Sequence, residues 1–463
     1  MKMKLLLLTP LVALLAAPAF GQVWAPVPSS NDFADFGNWL DETGNPPTTW
    51  AGDSSNNWIV DLAGANRAIL GVATVTGLDR NLVIGDADSS TGALEINGGT
   101  LGINRNLRVG RGEGATGTVT MTSGTLDMGR SSYIGQSDAF GTFTLSGGTV
   151  NVNTSGRTPA QEEFGVAHQD DATGTLNISG SGVLNVLGVD ALIADGDRAN
   201  ASVSIAGNGS LNVGRNARFG FGADSEVTLN MTGGVLDAAN GFIGFGQGAG
   251  ADVTFTMSGG EINADRMGFA NNETAAATLN MTGGTINLLR TTGTASHAGG
   301  LRMQSAGAAL NVGGDAVINT QKLYINDGGL LTLGGNALIN VSGSDDGENY
   351  TFDFAVGLVP VFLGGGWDNV EGRIELASLG ASIVVSGASE TVDENTVNFL
   401  TLFNAAIANE VIFTDTAFAF DTGYNAVGDF TYVTLIPEPS TYALFFGVGT
   451  LLVVLRRRMR ARA

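Results

Sequence analysis

The segment Thr278-Leu279-Asn280-Met281-Thr282-Gly283-Gly284-Thr285-Ile286-Asn287-Leu288 sets two short alternating runs on either side of a glycine pair. Leu279 and Met281 are separated by one polar residue, and so are Ile286 and Leu288. A period of two is the period of a strand with one buried face. Val227-Thr228-Leu229-Asn230-Met231-Thr232-Gly233-Gly234-Val235-Leu236-Asp237 has the same construction. The second glycine, or its equivalent, recurs at Gly99, Gly124, Gly148, Gly182, Gly209, Gly234, Gly260 and Gly284, with a weaker copy at Gly328-Gly329. Successive spacings are 25, 24, 34, 27, 25, 26 and 24 residues.

The unit is therefore about 25 residues long, and its alternation extends along the chain. Leu94/Ile96, Val119/Met121, Phe143/Leu145, Leu176/Ile178, Val203/Ile205 and Phe255/Met257 repeat the inward pair. A third apolar strand shows as Val109-Gly110, Ile134-Gly135, Phe219-Gly220, Ile243-Gly244 and Met267-Gly268. Three strands and three turns per unit predict an all-β chain: a right-handed parallel β-helix of nine or ten rungs, about 45 Å long at ~4.8 Å per rung. Leucine-rich repeats need a helical convex side, and propellers need four strands in roughly 40 residues; neither pattern is present. The register also predicts that Met231, Met257 and Met281 stack in adjacent rungs.

The flanks differ from residues 76–345, the predicted helix. Residues 22–75 carry four of the five tryptophans, Trp24, Trp39, Trp50 and Trp58, and read as an N-terminal cap over an otherwise open sheet edge. Residues 346–435 lose the glycine repeat and gain longer apolar strands, at 350–356, 383–385 and Phe399 to Phe403, and read as a β-rich C-terminal cap.

Composition narrows the function classes. Glycine supplies 69 of 463 residues, charged residues only 14%, and cysteine none. Disulfides, zinc–cysteine sites, iron–sulfur clusters and thiol catalysis are excluded together, and two histidines, His168 and His297, rule out a multi-histidine metal centre. Seven of the 22 basic residues lie in the terminal segments, leaving 15 against 44 acidic residues in the body. A surface this negative repels phosphate backbones, so no nucleic-acid partner is expected.

The ends read as addresses. Lys2 and Lys4 precede an apolar stretch over residues 5–17, and Ala19 and Gly21 are small residues at the −3 and −1 positions of a signal-peptide cleavage site before Gln22. Cleavage after Ala19 is the alternative. At the other end, Ile436-Pro437-Glu438-Pro439 leads into the apolar residues 442–455 and then Arg456-Arg457-Arg458. That is a rigid junction, one short transmembrane helix and a positive stop. Its 14–16 residues would span about 21–24 Å, short of the ~30 Å hydrocarbon core. Arginines held on the cytoplasmic side would leave the body outside.

This three-part tail, residues 436–463, closely resembles the PEP-CTERM sorting signal of exported bacterial proteins. The resemblance implies an exosortase partner that recognises Pro437, Glu438 and Pro439 and processes the tail near them, with Arg456, Arg457 and Arg458 as the membrane stop. The whole layout resembles repeat-bearing PEP-CTERM surface proteins with autotransporter-like β-helix passengers. It implies a protein that is membrane-anchored before processing and then on the cell surface or in the extracellular matrix.

Chemistry is sparse in the body. The longest interruption of the repeat, residues 153–172, gathers Arg157, Glu162, Glu163, His168, Asp170 and Asp171, the combination an acid–base polysaccharide lyase or hydrolase would need. A solvated polar loop on an acidic protein accounts for the same residues, and His297 is a second loop histidine without a visible partner. Asp86-Ala87-Asp88, Asp195-Gly196-Asp197 and Asp345-Asp346-Gly347-Glu348 have oxygen ligands for calcium, but none follows a known calcium loop. The expectation is a structural, adhesin-like envelope or matrix protein with no catalytic activity, no metal and no cofactor, and with extracellular polysaccharide as a candidate partner. A carbohydrate-active enzyme using the 153–172 loop is the alternative.

Overall fold

The structure, a computed structural model, describes residues 22–24, 32–35, 38–40, 57–62, 67–153, 155–156, 163–289, 300–325, 328–342, 352–354, 373–386, 389–392, 395–408, 412–414 and 418–437. The described chain is all-β apart from one helix, Phe399–Ala408. Most of its strands pair in parallel with a partner one repeat along the sequence, and the pairs form three ladders. The first runs through Thr91–Ile103, Thr116–Met128, Phe140–Leu145, Thr173–Ile178 and Asn200–Ile205, and onward to Arg373–Leu376 and Ile412–Phe413. The second links Thr149–Val152, Val183–Val186 and Ser210–Val213 and ends at Ser382–Ser386. The third links Leu107–Val109, Ser132–Gln136, Phe164–His168, Ala191–Ile193 and Ala217–Phe219.

In register, each inward position forms a column. Ile96, Met121, Leu145, Ile178, Ile205, Met231, Met257 and Met281 are aligned partners, all buried, so the three methionines stack as their spacing predicts. Phe219, Phe245 and Phe269 stack in the same way, with ring centroids 5.0 and 4.8 Å apart. Such pairs add about 0.5–1.5 kcal/mol each beyond area burial. The intervening positions point outward and are mostly polar. On the second ladder Asn151 donates to Asp127, Asn185 to Asn151 and Asn212 to Asn185, at 2.7–2.8 Å. Asn287, Asn319 and Asn340 continue the same column at 2.8–3.0 Å.

The turn glycines explain the repeat's most constant feature. Gly284 has φ +90, and a Cβ there would lie 2.6 Å from Met257 Cε in the preceding layer. At Gly148 (φ +85) it would lie 2.7 Å from Met121 Cε and 2.6 Å from the Gly124 carbonyl oxygen. Both the backbone conformation and the close approach require glycine.

The ladders begin upstream of residue 76, where Gln22–Trp24 pairs in parallel with Trp58–Val60, and that strand with Leu82–Ile84. Trp39–Leu40 pairs antiparallel with Gln22–Trp24, and Phe33, Trp39 and Trp58 are buried in edge-to-face contact at 5.0 Å. At the other end Phe430–Pro437 pairs antiparallel with Ser382–Ser386 and with Phe418–Asn425. The strand expected at Phe399 to Phe403 is instead the first part of the helix. Phe399, Leu402, Phe403 and Ala406 are its buried residues, at i, i+3, i+4 and i+7, and Asn398 Oδ1 accepts from the Thr401 amide at 3.0 Å as the N-cap. The short apolar run had masked a helical period that continues past residue 403.

No helix among the described residues is long and apolar enough to cross a membrane. Pro437 closes the last described strand and Gln22 opens the first. Gly21, Glu438, Pro439, the apolar stretch 442–455 and Arg456, Arg457 and Arg458 lie outside the described residues.

Candidate functional site

The corner that follows the third ladder carries a column of left-handed residues: Gly85, Gly110, Gly135, Ala167, Ala194, Gly220, Gly246 and Ala270, all with φ between 50 and 74. The residue after each corner is Asp86, Arg111, Gln136, His168, Asp195, Phe221, Gln247 and Asn271 in turn. Ala167 and Ala194 precede His168 and Asp195, and the conformation is costly there because alanine carries a Cβ. Strained corners of this kind cluster where a side chain must be aimed.

His168 Nδ1 lies 2.8 Å from Asp195 Oδ2 and 3.5 Å from Glu163 Oε1. Glu163 enters from the residue before the strand Phe164–His168, and Asp195 from the next layer, 27 residues on. Gly165 lies between them on the outer face, aligned with Tyr133. A Cβ on Gly165 would stand 3.0 Å from both His168 Cβ and Tyr133 Cδ1. The missing side chain lets the Tyr133 and His168 rings stack, with centroids 4.3 Å apart and planes 23° from parallel. Side-chain exposure is 15% for His168, 28% for Glu163 and 11% for Asp195.

Burial pushes the Glu163 carboxyl above the usual carboxylate range; His168 and a hydrogen bond with Tyr133 pull it back, while Asp195 and Asp190 add to the rise. Asp195 Oδ1 is buried and has no hydrogen-bond partner. Beside the trio opens a shallow groove of about 690 Å³, lined among others by Ser137, Asp138, Gln169, Asp170, Asp171 and Arg198. Arg198 holds Asp171 with two hydrogen bonds of 2.7 and 2.6 Å. Asp86, which burial also lifts, is paired with Arg111 of the following layer.

The 153–172 segment thus brings Glu163 and His168 together and sets Asp170 and Asp171 at the groove. Arg157, Glu162, His297 and the 345–348 acidic run lie outside the described residues. Sequence reading missed Tyr133 and Gly165, and it saw Asp195 only as a calcium-type oxygen ligand in the turn Asp195-Gly196-Asp197, not as the partner of His168. The one signal available was the alanine that replaces the corner glycine before both His168 and Asp195. Chemically the arrangement offers an imidazole oriented by a carboxylate, two carboxylates within reach of one ion, and a stacked ring that fixes the imidazole plane.

No family model, no curated protein and no solved structure matches the chain.

Proposed function

We propose that the three ladders are the faces of one right-handed parallel β-helix, and that the chain is an exported, exosortase-sorted structural protein. It works in the cell envelope or extracellular matrix, is adhesin-like and has no catalytic activity. The observation that carries this reading is the register: inward columns stay buried and apolar from repeat to repeat, while the positions between them are exposed or half-buried and mostly polar. Right-handedness follows from the rule for parallel strands joined by crossovers. An elongated rod of this kind presents long surfaces that suit scaffolding and adhesion. Extracellular polysaccharide is the partner favoured by the outer row of the third ladder, where Arg218 lies over Phe221 at 5.2 Å, Arg266 over Phe242 at 5.1 Å and Arg302 over Tyr324 at 4.8 Å. Aromatic faces stack on sugar rings, and guanidinium groups pair with the carboxylates of acidic glycans.

The second reading, a carbohydrate-active β-helix enzyme, is favoured by the His168–Asp195 pair standing beside the groove. One preparation tests both. The mature protein recovered from its exosortase-bearing host is sized at its C-terminus by mass spectrometry and incubated with acidic and neutral polysaccharides. The structural reading expects an end near Pro437–Thr441, and binding without bond cleavage that Phe242→Ala weakens. Recovery of intact Ala463 would refute the sorting step. Cleavage that vanishes in Asp170→Ala and Asp171→Ala would make the chain an enzyme.

A further inference from the structure

We infer that Glu163, His168 and Asp195 bind one divalent transition-metal ion of the zinc, cobalt or manganese kind. The inference goes beyond the structural role and depends on neither the sorting nor the glycan reading.

The donor set fits the ion. Imidazole nitrogen and carboxylate oxygen are both ligands of such ions, and a site with only three protein ligands keeps a further position open to water. Two metal–ligand bonds of about 2.1 Å at a tetrahedral angle hold their donor atoms about 3.4 Å apart. Glu163 Oε1 is already 3.5 Å from His168 Nδ1. Asp195 Oδ2, at 2.8 Å, is held by a proton that an ion would replace, and it need withdraw by about 0.6 Å. The three donor atoms lie within 4.8 Å of one another. Nδ1 can accept the ion when the imidazole proton sits on Nε2, so binding selects that tautomer.

The surroundings leave a charge to be met. Two ionised carboxylates and a neutral imidazole carry two negative charges in a half-buried place. The nearby cations are engaged with other acids: Arg198 with Asp171, and Arg215 and Arg218 with Asp190. The contrast with the start of the same column is direct, because there Asp86 meets the Arg111 guanidinium of the next layer. At Asp195 the column offers His168 on one side and Phe221 on the other, so no guanidinium faces the carboxylate along the column. The site is also built, not incidental. Gly165 makes room for the Tyr133–His168 stack, which fixes the imidazole plane, and left-handed Ala167 and Ala194 aim two of the three donors. A nitrogen ligand argues against calcium, which takes oxygen donors.

The test uses the full chain, stripped with a chelator and titrated with Zn²⁺ by calorimetry and with Co²⁺ by visible absorption. One equivalent should bind, and His168→Ala, Glu163→Gln and Asp195→Asn should each weaken binding at least tenfold, while Asp171→Asn at the groove leaves it unchanged. Because a site variant could misfold, a second measurement uses the wild-type fold. With histidine labelled by ¹⁵N in the His297→Gln protein, His168 gives the one remaining imidazole signal pair. Zn²⁺ should shift it and fix the Nε2–H tautomer at one equivalent. An unshifted imidazole, or wild-type binding no tighter than that of His168→Ala, overturns the site.

Discussion

Two of the three turns in each repeat, the one between the first and second ladders and the one after the third, use glycine in a left-handed conformation. At the corner between the first and second ladders, the glycines at 148 and 284 are pressed onto the layer beneath, touching a buried methionine and a backbone carbonyl. No side chain fits at these two, and glycine is kept as far as Gly284; beyond it Ala316 and Ala337 take the aligned place, where the backbone is no longer left-handed. At the corner after the third ladder the same left-handed turn recurs, yet alanine replaces glycine at 167, 194 and 270, and the following residue is an acid, a base, an amide or a phenylalanine. The glycines of the second corner are packed as closely, since an added Cβ would lie 2.4, 2.3 and 2.1 Å from a carbonyl oxygen at Gly85, Gly110 and Gly135. What differs is that alanine is accommodated at three of its positions and that the residue after the turn varies. The Glu163–His168–Asp195 cluster stands where freedom of side chain coincides with a strained backbone.

The sharpest way to break the packed corner is through the column beneath it. Met257 is fully buried, aligned with Met231 and Met281, and lies under Gly284. Met257→Asp would bury an unpaired charge among apolar side chains, a loss on the order of 4 kcal/mol. The expected outcome is a large drop in the thermal midpoint, with hydrogen exchange rising first in the strands at 226–245, 252–269 and 276–281. Unchanged unfolding would mean that this position does not face the core.

Much of this was legible in the sequence, because alternation and turn spacing are local signals that repeat. The buried column Ile96, Met121, Leu145, Ile178, Ile205 and Met231 could be written down from i, i+2 pairs alone. Legibility failed where the cause was not local. Phe399 to Phe403 is apolar enough for a strand, and only the Asn398 cap together with Ala406 reveals the helical period. His168 and Glu163 were visible as candidates within one interruption of the repeat. Their partner Asp195 belongs to another layer, and Tyr133 acts through the space that Gly165 leaves empty. Contacts between layers depend on register across an insertion, and an absent side chain gives no positive signal.

A pair of smaller changes compares the corners directly. Gly148→Ala forces a Cβ into a left-handed residue and against Met121 and the Gly124 carbonyl, which should cost about 2 kcal/mol or more. Ala167→Gly has two opposing effects. It relieves about 1–2 kcal/mol of left-handed strain and forfeits about 0.8 kcal/mol for a buried methyl. Its net effect should stay within about 1 kcal/mol. Urea unfolding midpoints of the two variants against the parent measure the difference. Equal losses would mean that the Ala167 methyl is held as tightly as the backbone around Gly148.

The smallest expected effect lies on the open side of the second corner, at the Asp171–Arg198 pair. Both side chains are solvent-exposed, so their two short hydrogen bonds are screened, and the pair should matter little to stability. The hydrogen bonds from Arg198 hold the Asp171 carboxyl below its ordinary value of 3.8. A carboxyl lowered in the folded state contributes stability above its unfolded pKa, and that contribution disappears as pH falls through the folded value. Asp171→Asn should therefore lower the thermal midpoint slightly at neutral pH. The difference should begin to shrink as pH falls through about 3.8 and close below that. It should also shrink at about 1 M salt, where the screening length is only ~3 Å. A difference that ignores both pH and salt would show that Asp171 acts by packing and not through its charge.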